Sequence, residues 1–346
     1  MSAATVKTFS NGNDVDLNGK SILVTGGTGS FGQKFVRTVL ERYEPRRLIV
    51  FSRDELKQYE MGISLSVQDH PALRYFIGDV RDASRLELAL REVDIVVHAA
   101  ALKQVPAAEY NPFECIQTNV IGAENVVRAA LSCGVQRVIA LSTDKAASPV
   151  NLYGASKLAS DKILVAANNL SGSIGTRFSV VRYGNVLGSR GSVIPFFRKL
   201  IDQGSESLPI TDMEMTRFWI TLQQGVDFVL SCLSLMKGGE IFVPKIPSMK
   251  ITDLASHMAP DLPQKVVGIR PGEKIHEVLI TEDDARSTYE LPDRYMILPE
   301  FWERMHKAFP NSGAKPVPNG FRFASNINDD WLDAARLEAM IAESEK

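Results

Sequence analysis

The sequence predicts an α/β fold built on a doubly wound parallel sheet, followed by a smaller C-terminal α/β lobe. Three observations predict it. Apolar, β-branched runs alternate with helix-patterned segments as far as Arg182. The first run, Ser21 to Thr25, enters a glycine loop and then a helix, the order that distinguishes a dinucleotide-binding unit from a chance glycine pattern. A later strand, Arg137 to Leu141, ends in the polar cluster Ser142 to Lys157, at the sheet edge where such folds bind ligands. Together these describe a Rossmann-type sheet over 19–182, with about 217–243 returning to it, and a substrate lobe made mainly by 183–346.

Residues 1–18, rich in Asn, Gly and Asp, read as a poorly ordered leader. After the first strand, Gly26, Thr28, Gly29, Ser30, Phe31 and Gly32 form the glycine loop, and a helix runs from Gln33 to about Glu41. Glycines there let the backbone turn and approach a pyrophosphate resting on the helix N-terminus. A flexible surface turn is the bland alternative, and the strand–loop–helix context outweighs it. The second strand, Arg47 to Phe51, ends at Ser52, Arg53 and Asp54, with Lys57 shortly after. An acid at this place binds the ribose 2′-hydroxyl of NAD, whereas Arg53 and Lys57 suit the 2′-phosphate of NADP. NADP is the reading, with Asp54 as its counter-argument.

A third strand, Arg74 to Ile77, leads to Asp79 and Val80, further cofactor candidates, and to a helix from Ser84 to Leu90. Strand Asp94 to His98 then opens into Ala99, Ala100 and Ala101, small enough to admit a nicotinamide ribose. His98 reads as a packed strand-end residue. Lys103 and Glu109 precede a long helix from about Pro112 to Cys133, in which Asn119 is either a buried backbone clamp or a surface position.

Tyr153 and Lys157 are four apart on the next helix, expected over 154–169, and so share one face. An ammonium beside a phenol favours the tyrosinate, which makes Tyr153 a general base for an alcohol. With 8 tyrosines, about 0.4 chance matches to such a pair are expected, so the pair alone says little. Its position after Thr143, Asp144 and Lys145, downstream of a nucleotide fingerprint, makes this cluster the candidate catalytic centre.

Composition narrows the classes. A net charge of −2 over 346 residues offers no footprint for nucleic acid or an anionic membrane. Cys115, Cys133 and Cys232 are scattered, without disulfide or metal spacing, which predicts no metal and a reducing compartment. No apolar run approaches membrane-spanning length, and a cytoplasmic protein is expected.

Beyond Arg182 the elements shorten: a glycine-rich turn from Tyr183 to Gly191, strands near Pro209, Arg217 and Glu240, helices over 222–236 and 252–258, and a charged turn from Arg270 to Lys274. Thr221 with Gln224 resembles a capping box. A Pro/Gly/Asn-rich tail ends in an amphipathic helix from Asp330 to Glu343. Arg190, Arg217 and Arg270 are candidate diphosphate ligands, against the alternative of exposed arginines.

The pattern Thr25-Gly26-x-x-Gly29-x-x-Gly32 with Tyr153-x-x-x-Lys157 resembles the extended short-chain dehydrogenase/reductase family. Within it, Phe51 to Glu55, Ala99 to Lys103, Ser142 to Ala146, Arg182 to Val186, Met215 to Trp219 and Arg270 to Lys274 are similar to the inverting UDP-N-acetylglucosamine 4,6-dehydratases of the pseudaminic acid pathway. Retaining dehydratases carry Asp-Glu where this chain has Asp144-Lys145, and sugar 4-epimerases usually lack the pair. The resemblance implies Thr25 among the cofactor residues, and Lys103, Thr143, Asn185, Val193 and Glu273 among the substrate residues, beside the three arginines. It implies UDP-N-acetylglucosamine as substrate, recycled NADP as cofactor, and a homodimer or hexamer. It also implies that Lys145 removes the carbon 5 proton, given a depressed pKa, while a protonated Asp144 serves the departing 6-hydroxyl. A 4-epimerase and a non-catalytic NADP-binding protein remain the alternatives.

Overall fold

Six parallel strands carry the nucleotide-binding half: β1 (Ser21–Thr25), β2 (Arg47–Ser52), β3 (Leu73–Ile77), β4 (Ile95–His98), β5 (Arg137–Thr143) and β6 (Arg177–Tyr183). They lie in the order β3-β2-β1-β4-β5-β6, so the winding reverses between β1 and β4 and leaves a crevice beyond their carboxyl ends. Thr25 stands level with Phe51 on one side and His98 on the other, which fixes the register at that crevice. Ile22, Leu23, Val24, Val96 and Val97 are fully buried, as strands covered on both faces require. The computed structural model describes residues 8–9, 15–189, 191–299 and 313–344.

Helices α1 (Ser30–Arg42), α2 (Glu55–Ser64), α3 (Ala83–Ala89), α4 (Val105–Tyr110), α5 (Pro112–Ile116), α6 (Gly122–Ser132) and α7 (Leu152–Ala167) make the crossovers. The long helix expected over 112–133 forms, but a π turn at Gln117–Ile121 interrupts it between α5 and α6. Such single-turn bulges recur at functional sites, and this one carries Asn119.

The second half adds β7 (Asn185–Val186), β8 (Leu208–Ile210), β9 (Thr216–Ile220), β10 (Ile241–Pro244), β11 (Ser248–Lys250) and β12 (Gln264–Val266). It continues with β13 (Val278–Ile280), β14 (Thr288–Glu290), β15 (Arg294–Ile297), β16 (Lys315–Pro316) and β17 (Phe323–Ala324). Its helices are α8 (Val193–Asp202), α9 (Leu222–Leu235), α10 (Ile251–Met258) and α11 (Ala334–Ser344). The capping box at the start of α9 forms, with Gln224 N donating to Thr221 Oγ1 over 3.1 Å and Thr221 N to Gln224 Oε1 over 2.9 Å.

Three expectations need correction. Strand β10 does return to the large sheet, parallel to β6, but β9 pairs with β7 and β11 in a separate three-stranded sheet. Strands β15, β14 and β16, read as lobe, instead extend the large sheet antiparallel to ten strands. Short runs such as these carry too few residues for periodicity to assign them. At its described positions the expected loose leader is packed: Phe9, Val15 and Leu17 are buried in the main core, and Phe9 meets Phe228 edge-on at 5.1 Å. A second core, including Leu187, Phe197, Trp219, Leu254 and Leu337, organises the lobe around α8, α10 and α11. Among the described residues no helix is long and apolar enough to cross a membrane.

Candidate active site

The crevice between the two cores is a cleft of about 660 Å³. Its floor at one end is the glycine loop. Gly26 has φ +64°, and a β-carbon there would lie 2.9 Å from the Ala100 backbone; one on Gly32 would lie 2.5 Å from Gly27 Cα. Both positions need the missing side chain for close approach. Gly29 is the N-cap of α1 with no side-chain cap, and Gly29, Ser30, Phe31 and Gly32 line the cleft. A helix start left open to the cleft suits a pyrophosphate. Thr25 lies underneath: its hydroxyl bonds His98 Nδ1 at 2.8 Å and accepts from Ala99 N and Ala100 N at 3.1 and 3.2 Å, holding the β4 exit against β1. Burial and the Lys157 charge push His98 down to about 3, so it is a neutral packed residue, as the sequence suggested.

At the far edge of this cradle, Thr28 Oγ1 and Ser52 Oγ share a 2.8 Å hydrogen bond. Asp54 is the N-cap of α2, accepting from Lys57 N at 3.0 Å and pairing with Lys57 Nζ at 2.7 Å. Arg53, half-exposed on the rim, pairs with Asp79 at 3.5 Å. Burial alone would raise the Asp79 carboxyl, but hydrogen bonds and charge from Arg81 hold it below its usual range. Val80, Ala99, Ala100, Ala101 and Lys103 complete this wall.

Asn119 settles the alternative left open above: it is buried and acts as a clamp. Its Oδ1 accepts from Leu102 N at 2.8 Å, and its Nδ2 donates to Leu102 O and Ser156 Oγ, both at 2.9 Å. The loop bearing Lys103 is thereby tied to α7.

The candidate catalytic cluster lies where β5 ends. Asn151 caps α7, accepting from Gly154 N at 2.8 Å, and a β-carbon on Gly154 would overlap the Lys145 carbonyl oxygen. This close approach sets Tyr153 beside the Thr143–Lys145 turn. Asp144 is fully buried; its Oδ1 accepts from Thr143 Oγ1 at 2.9 Å and from Lys145 Nζ at 3.1 Å. Burial, reinforced by the charge of Glu277, pushes the Asp144 carboxyl above its usual range despite Lys145. Burial would lower Lys145, but Asp144 and Glu277 outweigh it and hold the ammonium above an ordinary lysine. Tyr153 is pushed up to about 12 by burial, opposed by Lys145 and by hydrogen-bond contact with Thr143.

These values correct two expectations. The resting Lys145 is not depressed toward neutrality, because two carboxylates face it. The phenol of Tyr153 is raised rather than lowered, and the cation opposing that rise is Lys145, not Lys157. Lys157 is buried one helical turn further on, where burial lowers it and the charge of Asp161 partly restores it.

Thr143, Lys145, Tyr153, Lys157, Lys103 and Asn185 all line the cleft; Asp144 does not, and reaches it through Thr143 and Lys145. The substrate candidates divide. Arg217 is turned inward, donating to the carbonyls of Thr216, Ile275 and Lys274 at 2.7–3.0 Å, so it holds the fold of the lobe rather than a ligand. Arg270 is exposed and 4.0 Å from Glu273, and neither lines the cleft, nor does Val193. Arg190 lies outside the described residues. Sequence reasoning missed Glu277, three residues past the charged turn it singled out, and Ser325, whose hydroxyl accepts from Glu277 N at 2.9 Å. The only signal for Glu277 was that spacing. Among the described residues no His, Cys, Asp and Glu group could hold a metal ion.

Residues 22–299 match the family described as "Polysaccharide biosynthesis protein". A curated relative from Campylobacter jejuni, "UDP-N-acetylglucosamine 4,6-dehydratase (inverting)", is 56% identical over 95% of this chain and 99% of its own. A "UDP-glucose 4-epimerase" from Rickettsia canadensis is 43% identical over 80% of this chain and 82% of its own. Among solved structures, Pen from Bacillus thuringiensis superposes with a TM-score of 0.86 at 34% identity, covering 95% of this chain and 99% of its own. DesIV, a dTDP-glucose 4,6-dehydratase from Streptomyces venezuelae solved with NAD and TYD bound, gives 0.65 at 26% identity, covering 74% of this chain and 86% of its own. The chain belongs to the polysaccharide biosynthesis protein family, within the extended short-chain dehydrogenase/reductases.

Proposed function

We propose that this chain is an inverting UDP-N-acetylglucosamine 4,6-dehydratase that keeps and recycles a tightly bound NADP. The observation that carries the reading is the Asp144–Lys145 pair, 3.1 Å apart, set beside Tyr153 in a chain 56% identical to a dehydratase of that name. A 4-epimerase exchanges hydride at one carbon and has no step for a second acid–base pair.

The glycine cradle fits a dinucleotide: Gly26 and Gly32 admit no β-carbon, and the start of α1 opens to the cleft. Gly29 to Gly32, Ser52, Arg53, Ala99 to Ala101, Tyr153 and Lys157 would hold it. When bound, the nicotinamide supplies the hydride chemistry that oxidises carbon 4 and later reduces carbon 6. For NADP over NAD, Asp54 is engaged as a helix cap and partner of Lys57, while Arg53 stands on the rim.

Tyr153 takes the proton of the sugar 4-hydroxyl as the tyrosinate, a form that burial opposes and that the Lys145 charge supports while that lysine is still an ammonium, and Thr143 orients that oxygen. Asp144 and Lys145 hold the same number of protons as an ion pair or as carboxylic acid and amine. Displacing water by substrate favours the neutral pair, because burial already pushes Asp144 upward. Lys145 then removes the carbon 5 proton and passes it to the departing 6-hydroxyl, which leaves as water. The proton that Tyr153 took balances the one delivered to the opposite face of carbon 5, giving inversion. On this reading the enzyme works in the cytoplasm as a dimer or hexamer, and its product feeds pseudaminic acid biosynthesis and flagellin glycosylation.

Mass spectrometry of the purified protein with UDP-N-acetylglucosamine in deuterated water, without added cofactor, tests this. Loss of one water with a deuteron at carbon 5 is expected, with inversion read by proton NMR. An unchanged mass with a new 4-epimer would refute it.

A further inference from the structure

We infer that Glu277, a buried carboxylate outside the cleft, is the positioning residue that brackets Lys145 against Asp144 and governs when that lysine can act as a base. This rests on the role given to Lys145 above and adds a residue to it.

The geometry is that of one ammonium between two carboxylates. Lys145 Nζ lies 3.1 Å from Asp144 Oδ1 and 3.4 Å from Glu277 Oε1. Glu277 is 2% exposed and is held from three sides. Arg217 Nε is 3.7 Å from its Oε1, Lys274 Nζ is 4.0 Å from its Oε2, and its main chain exchanges hydrogen bonds with Ser325, N to Oγ at 2.9 Å and O from Ser325 N at 2.8 Å. Lys274 is in turn fastened to the catalytic turn, donating to Ala147 O at 2.7 Å. Thr216 Oγ1 bonds both Ser325 Oγ and His276 Nδ1, so Ser325, Thr216 and His276 form a polar shelf behind Glu277.

The two carboxylates are not equivalent. Glu277 faces Lys145, Arg217 and Lys274, and these three cations outweigh its burial and keep it ionised. Among the described residues Asp144 has only Lys145 as a cation in contact, and burial pushes it up. Paired carboxylates driven apart in this way take different duties. Glu277 is the permanent anion that fixes the ammonium; Asp144 is the partner able to share its proton. The other charges facing this group, Tyr153 from α7, Lys103 from the loop after β4 and Asp161 deeper on α7, influence it without touching Glu277. Because Glu277 lies outside the cleft, its loss is expected to act on kcat far more than on the KM for the sugar nucleotide.

The test is competitive acetylation of the full chain at about pH 8, reading Lys145 by mass spectrometry against exposed Lys162. An opposite charge in contact shifts a pKa by roughly one to three units, so Glu277→Gln should raise Lys145 acetylation about 10- to 1000-fold. Glu277→Asp keeps the charge and should stay within about threefold of the native enzyme by the same reasoning. Equal rises in both variants would mean simple loosening, and no rise in either would mean Glu277 does not govern Lys145; each result overturns the inference. Should Glu277→Gln fail to fold, the native chain decides, since Lys145 acetylating as fast as Lys162 also overturns it. Labelling needs no substrate, so failure to dehydrate UDP-N-acetylglucosamine with the labelling pattern intact counts against the functional reading alone.

Discussion

Replacing Asn119 by leucine isolates the clamp beneath the cofactor wall. Leucine keeps the heavy-atom count and branching of asparagine, so the perturbation is chiefly the loss of the Asn119 hydrogen bonds rather than a cavity. Two of them satisfy the N–H and C=O of Leu102, a third reaches Ser156 on α7, and a longer one goes to Cys115 Sγ. An orphaned buried polar group costs about 1–3 kcal/mol, and Leu102 is only half-buried, so water recovers part of the cost and roughly 3 kcal/mol is expected in total. At about 2.1 cal/mol/K of unfolding entropy per residue, a 346-residue chain then melts roughly 4 °C lower. Differential scanning calorimetry would read that shift. The clamp also positions the loop bearing Ala101 and Lys103, so NADP affinity, followed by fluorescence titration, should fall alongside. A variant that melts within 1 °C of the native chain and binds NADP unchanged would refute the clamp argument, because no other group among the described residues is placed to satisfy both ends of Leu102.

Two other perturbations have definite signs. Arg53→Ala should weaken NADP by about tenfold or more while leaving NAD little changed, since only the 2′-phosphate needs the charge; equal losses in titrations of both cofactors would remove the NADP assignment. His98, held at about 3 in the folded chain against about 6.5 when unfolded, adds no pH dependence above pH 6.5 and costs stability as pH falls from there toward 3. Between pH 6.5 and 5 that is about 2 kcal/mol, and urea denaturation of His98→Gln should show a correspondingly flatter pH profile.

The parallel strands were legible because each is covered on both faces, so its sequence is a continuous apolar run such as Ile22-Leu23-Val24. The glycine loop and the Tyr153–Lys157 pair, which both line the cleft, were legible because their spacing could be read against the strands that precede them. Strands β14 to β16 were not, since two to four residues at a sheet edge carry no period. The surroundings of Arg217 were not legible for a related reason. Sequence shows that Arg217 carries a charge, but only the fold shows that three main-chain carbonyls surround it. The pKa of Lys145 depended on Glu277, a residue 132 positions away that the lobe brings within 3.4 Å.

The Ser325 clasp bears on the order in which the protein becomes competent during synthesis. Tyr153, Lys157 and the glycine loop sit in a unit whose parallel strands β1 to β6 pair over at most 73 residues, and a growing chain can assemble them early. Thr216 and Ser325 must close a loop of 109 residues, and the main chain of Glu277 gains its Ser325 bonds when that closure occurs. On the roles proposed above, a nascent chain that has folded its nucleotide half would offer the glycine cradle before Ser325 has fastened Glu277. On that reading, hydride chemistry and proton chemistry mature at different moments, and the chain near Ser325 contributes to the second.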